Sequence, residues 1–129
     1  GLALMKRDSS VLLRESVPAG DIAERAASIL TERKLITIAI GGGTGSKKII
    51  DAVAAAAPGG IAIYKVREYN TTMEARKLYF AENPPRGLLR LLPAGLRVPP
   101  RPVDDYAAVA IGNIFIKESG ELIWPKKER

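Results

Sequence analysis

Residues 35–66 read LITIAIGGGTGSKKIIDAVAAAAPGGIAIYKV, and this stretch indicates the fold class. Leu35–Ile40 and Ile61–Val66 are nearly continuous apolar runs, which is typical of strands buried on both faces. Between them lies a glycine loop at 41–45, followed by helical spacing from Ser46 to about Ala57. A strand, a helix and a second strand at this spacing predict a parallel crossover, and therefore an α/β protein.

The N-terminal part of the chain predicts a hairpin and a helix. Gly1–Leu4 and Val11–Val17 read as strands around a short polar turn at 8–10, which is typical of an antiparallel pair. The Asp-x-x-Glu pattern at 21–24 is typical of a helix-capping box. Apolar residues then recur at helical spacing, so we expect an amphipathic helix over residues 22–33.

The C-terminal half predicts two more helices and an unusual connection. The Thr-x-x-Glu pattern at 71–74 suggests a second capping box, opening a helix that the following prolines must end. Residues 84–103 then hold six prolines, four arginines and no acid. We expect a last helix from Asp104 to about Glu118 and a C-terminal tail at 119–129, loosely held from Trp124 onwards. The predicted organisation is one domain over residues 1–118, with the Pro/Arg-rich loop inside it.

The composition excludes several kinds of catalysis. The chain has no cysteine and no histidine. Disulfides, thiolate nucleophiles, Cys-bound zinc and imidazole bases are therefore excluded. Carboxylates, lysines and hydroxyls remain, and a metal held by carboxylates and water would be a hard ion, Mg²⁺ or Mn²⁺.

The charge favours an anionic partner. The formal net charge is +6 at pH 7. Nucleic acid is the first candidate and a membrane surface the second, while a basic surface that merely aids solubility is the alternative. No apolar run approaches the roughly 20 residues that cross a bilayer, and the first residues lack the layout of a signal peptide. We therefore expect a cytoplasmic protein without a membrane partner.

The glycine loop allows three interpretations. Gly41–Ser46 reads GGGTGS and lies between a strand and a helix start, where backbone N–H groups are placed to bind phosphate. It resembles the phosphate loop of tubulin-like proteins, which implies a free nucleotide. Its spacing matches neither a Walker loop nor a full dinucleotide fingerprint. The loop is thus a tight turn, a contact for nucleic-acid phosphate through Thr44, Ser46 and Lys47, or a nucleotide site.

Two motifs carry a family resemblance. Residues 66–76, VREYNTTMEAR, resemble the DERxTTxEA signature of the YqgF family, and 103–108, VDDYAA, resemble its VDxxAA helix start. The family includes Holliday-junction resolvases and nucleases that trim precursor ribosomal RNA. The loop at 84–103 is similar to an extended loop in one branch of the family. The resemblance implies an RNase H-like mixed sheet flanked by helices.

The resemblance also implies a catalytic site of clustered carboxylates. Such a site hydrolyses a phosphodiester with two Mg²⁺ ions about 4 Å apart, held without His or Cys. Glu68 and Asp104 are the implied metal ligands, with Asp105 beside them as a further catalytic candidate. The alternatives are an ordinary surface carboxylate at Glu68 and N-capping of the last helix by Asp104 and Asp105.

The sequence departs from the family pattern at three places. Arg67 stands where the motif has an acid, and Tyr69 stands where it has an arginine. The first family strand carries a D-x-G aspartate, and Gly1–Leu4 resembles the strand after it. We therefore expect an omitted segment and a sheet with unpaired edges. These departures keep a second function open, a nucleic-acid-binding module without catalysis.

The Pro/Arg-rich loop is the predicted nucleic-acid surface. Its arginines, Arg86, Arg90, Arg97 and Arg101, have no acidic neighbour within the loop. The prolines restrict its conformations, which lowers the entropic cost of presenting the arginines to a polyanion. The leucines among them predict packing on the domain or on a second copy, so a homodimer is possible. A rigid loop with solvated arginines is the alternative.

Overall fold

The computed structural model describes residues 1–43, 45–68 and 70–125, which form five strands and four helices. The strands are β1 Leu2–Met5, β2 Val11–Glu15, β3 Thr37–Gly41, β4 Ala62–Val66 and β5 Glu121–Trp124. The helices are α1 Ile22–Arg33, α2 Ser46–Ala56, α3 Thr71–Glu82 and α4 Asp104–Glu118. Short 3-10 turns cover Ala19–Asp21, Gly87–Leu91 and Ala94–Leu96.

The strands form two separate sheets. β1 and β2 pair antiparallel as the predicted hairpin. β3 and β4 pair in parallel, as the strand–helix–strand pattern predicts, and β5 adds antiparallel to the other side of β4. The α/β class is confirmed. The structure divides the single predicted sheet into a hairpin sheet and a mixed three-stranded sheet, so that among the described residues β1, β2, β3 and β5 are edge strands.

The main core lies between the three-stranded sheet and helices α1 and α2. It contains Leu30 from α1, Ile50 and Val53 from α2, and Ile61 and Ile63 from the β4 region. These apolar side chains cluster because the strand run and the helical periodicity both direct them to this side. Helix α4 packs on the other side, in contact with strands of both sheets.

Helix bounds follow the sequence pattern more closely than strand bounds do. Helix α1 covers the predicted residues, and α4 begins and ends as expected. Strand β2 ends at Glu15, two residues before the predicted end. The prediction of a C-terminal tail is wrong for 121–124, because these residues form β5, while 126–129 lie outside the described residues.

Both predicted capping boxes are wrong. Asp21 precedes α1, but its side chain makes no capping hydrogen bond. Helix α3 is preceded by Asn70, whose backbone is left-handed with φ 53°, and not by Thr71, which is already helical. The carboxylate of Glu74 instead accepts a hydrogen bond from Lys77 at 3.3 Å. The helices therefore start without side-chain caps, and their packing stabilises them.

Ile63 and Leu88 provide a test of this core. Ile63 has no exposed surface, whereas Leu88 is 82% exposed. We expect Ile63→Ala to lower the free energy of unfolding by about 2–5 kcal/mol, since it leaves a cavity. Leu88→Ala should change it by less than about 0.5 kcal/mol. Urea denaturation of both variants measures this, and equal effects would contradict the described core.

Candidate functional site

The carboxylate of Glu68 lies directly on the glycine loop. Glu68 follows β4, and Gly41 ends the neighbouring parallel strand. A Cβ atom at Gly41 would lie 2.5 Å from Oε1 of Glu68, and one at Gly43 would collide with Oε2. Glycine at both positions therefore permits the close approach of this carboxylate. Gly45 has φ 84°, so the tight-turn interpretation of the loop is confirmed there.

Glu68 and Asp104 line the same groove. Asp104 is the first residue of α4, and Val103, not an acid, holds the cap position before it. The groove has a volume of about 1110 Å³ and lies between the two sheets. The fold thus brings the two predicted metal ligands to one cavity, although they are 36 positions apart in sequence.

The positions of the two acids along helix α4 set what a shared site requires. The side chain of Ile111 lies against Gly41, and therefore beside Glu68. Asp104 precedes Ile111 by two helical turns, which is about 10 Å along the axis. Two ions about 4 Å apart, with a ligand on each side, span roughly 8 Å, so a shared site requires the two side chains to extend towards each other. A shared site for Glu68 and Asp104 stays a prediction, and carboxylates more than roughly 10 Å apart would contradict it.

Asp105 is buried in an ion-pair network. Its side chain is 8% exposed, and its Oδ2 accepts a hydrogen bond of 2.8 Å from Nε of Arg14. The guanidinium of Arg101 donates to both carboxylate oxygens, at 3.2 and 3.4 Å. Burial raises the pKa of Asp105, but the hydrogen bonds from Arg101 and Arg14 outweigh it and hold the pKa below its usual value. The arrangement favours a role in anchoring α4; catalysis by Asp105 stays a prediction.

The network extends to helix α3 through aromatic and acidic groups. The guanidinium of Arg14 lies 3.9 Å above the ring of Tyr106 and donates to Glu82 at 3.0 Å. The hydroxyl of Tyr106 donates to the same Glu82 oxygen at 2.6 Å. Burial and this hydrogen bond raise the pKa of Tyr106. Strand β2 and helices α3 and α4 are therefore joined by charge-assisted bonds.

The arginines of the Pro/Arg-rich loop divide into two pairs. Nε of Arg97 donates to the carbonyls of Leu89 and Leu92, each at 3.0 Å, so this side chain holds the loop's own backbone. Arg101 binds Asp105, as described above. Arg86 and Arg90 are exposed, and within the described residues no side-chain hydrogen bond or ion pair engages them. The loop therefore presents Arg86 and Arg90 to solvent.

The leucines of this loop differ in exposure. Leu88, Leu91 and Leu96 are 82%, 80% and 63% exposed, whereas Leu89 is half-buried. The expectation of packing on the domain is therefore wrong for Leu88, Leu91 and Leu96. Packing on a second copy stays a prediction.

The predicted phosphate contacts at the start of α2 have different environments. Ser46 is buried, with 8% of its surface exposed, while Lys47 is exposed. Thr44 lies outside the described residues. The Glu68 carboxylate is close to this loop, so a phosphate there would meet a negative charge unless a cation lay between them. Of the two predicted phosphate contacts that the structure describes, Ser46 and Lys47, only Lys47 is exposed to solvent.

The metal site stays a prediction. Across residues 1–43, 45–68 and 70–125, no group of three or more acidic side chains is arranged to hold a metal ion. Mg²⁺ is usually bound by one or two protein carboxylates together with water and substrate phosphate. Glu68 and Asp104 fit that donor set, and a third carboxylate is not brought to them.

Sequence reasoning missed three parts of this region. The Arg14–Asp105 pair spans 91 positions, and no local pattern signals it. The Arg97 bonds to carbonyls depend on the loop's folded shape. Strand β5 had a signal, the apolar run Leu122-Ile123-Trp124.

The site thus belongs to an α/β domain with a largely apolar groove between two sheets, which Glu68 and Asp104 also line. Comparison of the chain with protein-family models, with curated proteins and with solved structures finds no match. Among the described helices, none has the length and apolar character that crossing a membrane requires.

Replacing Asp105 tests the network. We expect Asp105→Asn to lower the free energy of unfolding at pH 7 by about 1.5–3 kcal/mol, since charge-assisted hydrogen bonds are lost. Because the folded pKa of Asp105 is lowered, its stabilisation is present above the unfolded value of about 3.9 and is lost as pH falls through the folded value. The difference between the two proteins should therefore shrink below about pH 4.

Denaturation at several pH values measures that difference. Asp51→Asn is the control, because Asp51 is exposed on α2 and its replacement should change stability by less than about 0.5 kcal/mol. An equal loss for Asp105→Asn at pH 7 and pH 3 would show that the ionised carboxylate adds nothing.

Proposed function

We propose that this chain forms an RNase H-like nuclease domain of the YqgF/RuvC type. It would hydrolyse phosphodiester bonds in structured nucleic acid, a four-way DNA junction or a precursor ribosomal RNA, in the cytoplasm. The observation that carries the proposal is the presence of Glu68 and Asp104 in one groove beside the glycine loop. The two motifs around these residues and the net charge of +6 support it further.

The residues suit metal-assisted hydrolysis. Glu68 and Asp104 would hold Mg²⁺ or Mn²⁺, whose charge, when bound, stabilises the attacking and leaving oxygens. Lys47 stands exposed at the start of α2, where it would bind a backbone phosphate. Arg86 and Arg90 would bind further phosphates and position the nucleic acid.

A second candidate function is binding of nucleic acid without cleavage. Arg14 and Arg101 occupy the Asp105 carboxylate, and the described residues bring only Glu68 and Asp104 to the groove. Arg67 adds a positive charge next to Glu68. These features favour a surface that binds phosphate and does not cut it.

Cleavage assays distinguish the two functions. A labelled four-way DNA junction and a structured RNA are incubated with the protein in Mg²⁺, Mn²⁺ or EDTA. We expect cleavage only with a metal, and Glu68→Gln or Asp104→Asn should reduce it by more than the roughly 10–100-fold that loss of an outer-shell partner costs. Asp51→Asn is the control and should leave the rate unchanged.

Other results of these assays would favour a different function or contradict the assigned ligands. Metal-independent binding without any cleavage would favour the binding module. An unchanged rate in both Glu68→Gln and Asp104→Asn would contradict the assigned ligands. Tight binding of a nucleoside triphosphate without a metal would support a nucleotide site at the glycine loop instead.

Salt dependence tests the loop arginines. We expect the double variant Arg86→Gln/Arg90→Gln to bind nucleic acid with a shallower slope of log K against log salt, by about 0.7–0.9 for each lost phosphate contact. Arg33→Gln/Lys117→Gln is the matched control, because it removes the same charge from exposed positions that do not line the groove. If both variants shift the slope equally, net charge and not this loop controls binding.

A further inference from the structure

The Pro/Arg-rich loop concentrates exposed apolar side chains in a short stretch. Twelve large hydrophobic side chains are exposed among the described residues, and five of them lie between positions 88 and 98. Apolar side chains scattered singly over a surface are ordinary, whereas a concentration of them marks a site of interaction. The loop is therefore a candidate binding surface.

A 3-10 turn at Gly87–Leu91 sorts the leucines of this loop by direction. Side chains three positions apart lie one above the other in a 3-10 helix. Leu88 and Leu91 therefore share one side of the turn, and they are the two most exposed large hydrophobic side chains that the structure describes. Leu89 points in another direction and is half-buried. Leu88 and Leu91, which we call the leucine face, thus project together into solvent.

The leucine face stands on a rigid support. The guanidinium of Arg97, which binds the carbonyls of Leu89 and Leu92, also donates to the carbonyl of Arg90 at 3.4 Å. This single side chain therefore ties together the backbone that carries the leucine face. Six prolines between positions 84 and 103 restrict the loop further. A surface that is already ordered loses little conformational entropy when it binds a partner.

Exposed cations lie directly beside the leucine face. Arg86 precedes the turn and Arg90 belongs to it, and both side chains are exposed. No acid lies between positions 84 and 103 to neutralise them. A partner must therefore offer apolar surface and negative charge within the span of one turn. Nucleic acid offers both, because each base lies next to a charged phosphate.

Stacking normally covers the apolar surface of the bases. Some proteins reach this surface by inserting apolar side chains, leucine among them, between neighbouring bases, which unstacks them. Unstacking costs free energy, and the cost is lowest where bases are already unpaired or where the base steps are flexible. Burial of two exposed leucines offsets part of this cost, and arginines that bind the phosphates hold the wedge in position.

We propose that the leucine face is a wedge that enters the base stack of a nucleic acid and makes the protein select branched or unpaired sites over continuous duplex. Leu88 and Leu91 contact the unstacked bases, and Arg86 and Arg90 bind the phosphates beside them. The proposal rests on the proposed function for its partner, and it adds the feature of the nucleic acid that the protein recognises. A symmetric contact between two copies of the loop is less favourable, because it would bring acid-free, cationic surfaces together.

Binding and base unstacking are measured together. The probes are a four-way junction, a duplex with an unpaired bulge and a continuous duplex, each made in DNA and in RNA. Each carries 2-aminopurine, whose fluorescence rises when the base unstacks, at the branch, in the bulge or at the matching duplex position. Anisotropy of a terminal dye gives Kd in EDTA and in Ca²⁺, and denaturing gels check that the probes stay intact.

Three variants accompany the unaltered chain. Leu88→Ser/Leu91→Ser removes the wedge, and Leu88→Met/Leu91→Met keeps an apolar side chain of a kind that also forms wedges. Leu12→Ser/Met73→Ser is the matched control, because it removes two exposed apolar side chains outside the loop and the groove. Thermal denaturation checks that all three variants fold.

We expect the unaltered chain to bind junction and bulge at least about 10-fold more tightly than duplex, with a rise in 2-aminopurine fluorescence. The serine variant should bind junction and bulge about 10-fold or more weakly but duplex less than about 3-fold more weakly, because leucine burial contributes only where bases unstack. It should also lose the rise in fluorescence. The methionine variant and the control should behave like the unaltered chain.

Four results would overturn the wedge. Binding of the junction without a rise in fluorescence would do so and leave the proposed function standing, as would an equal loss of affinity for all probes in the serine variant. Absence of binding to every probe would overturn the wedge and the proposed function together. Leucine-dependent binding to phosphatidylglycerol vesicles, or a leucine-dependent dimer in light scattering, without a fluorescence response would assign the leucine face to a lipid or to a second copy.

Discussion

Helix α4 holds the two sheets together, because within the described residues no strand ladder connects them. It packs on β1 and β2 on one side and on β3 and β4 on the other. The 2.8 Å bond between Asp105 and Arg14 joins the start of this helix to β2 in partly buried surroundings. Removing one partner of such a pair leaves an uncompensated charge, so the position of α4 depends on this contact. Asp104 is placed by the same anchor, since it is the adjacent residue.

The groove and its acids follow from that anchor. The first turn of α4 brings Asp104 to the groove, while the parallel pair β3–β4 places Glu68 beside the glycine loop. The two adjacent acids at 104 and 105 therefore have different environments. Asp105 is buried among arginines, and Asp104 is exposed at the groove. Of these two adjacent aspartates, Asp105 joins helix α4 to its neighbours and Asp104 belongs to the candidate site.

Apolar runs and helical periodicity in short stretches of sequence predicted the strands and helices whose burial they reflect. The apolar runs around 35–66 gave the parallel pair β3–β4, and periodicity gave the bounds of α1 and α4, because both signals reflect burial. The capping boxes failed because side-chain caps are optional where packing already stabilises a helix. The Arg14–Asp105 pair and the use of Arg97 and Arg101 inside the protein depend on contacts distant in sequence. Motifs named Asp105 and Arg101 as candidates, but only the fold reveals that they bind each other.

The exposed leucines and the exposed arginines of the Pro/Arg-rich loop respond differently to salt. Its outward leucines, Leu88 and Leu91, stand beside the exposed Arg86 and Arg90. Salt screens the attraction of arginines for a polyanion, whereas salting-out ions such as sulfate strengthen apolar association. Concentrated sulfate therefore promotes association through the exposed leucines and weakens any attraction of the two arginines for an anion.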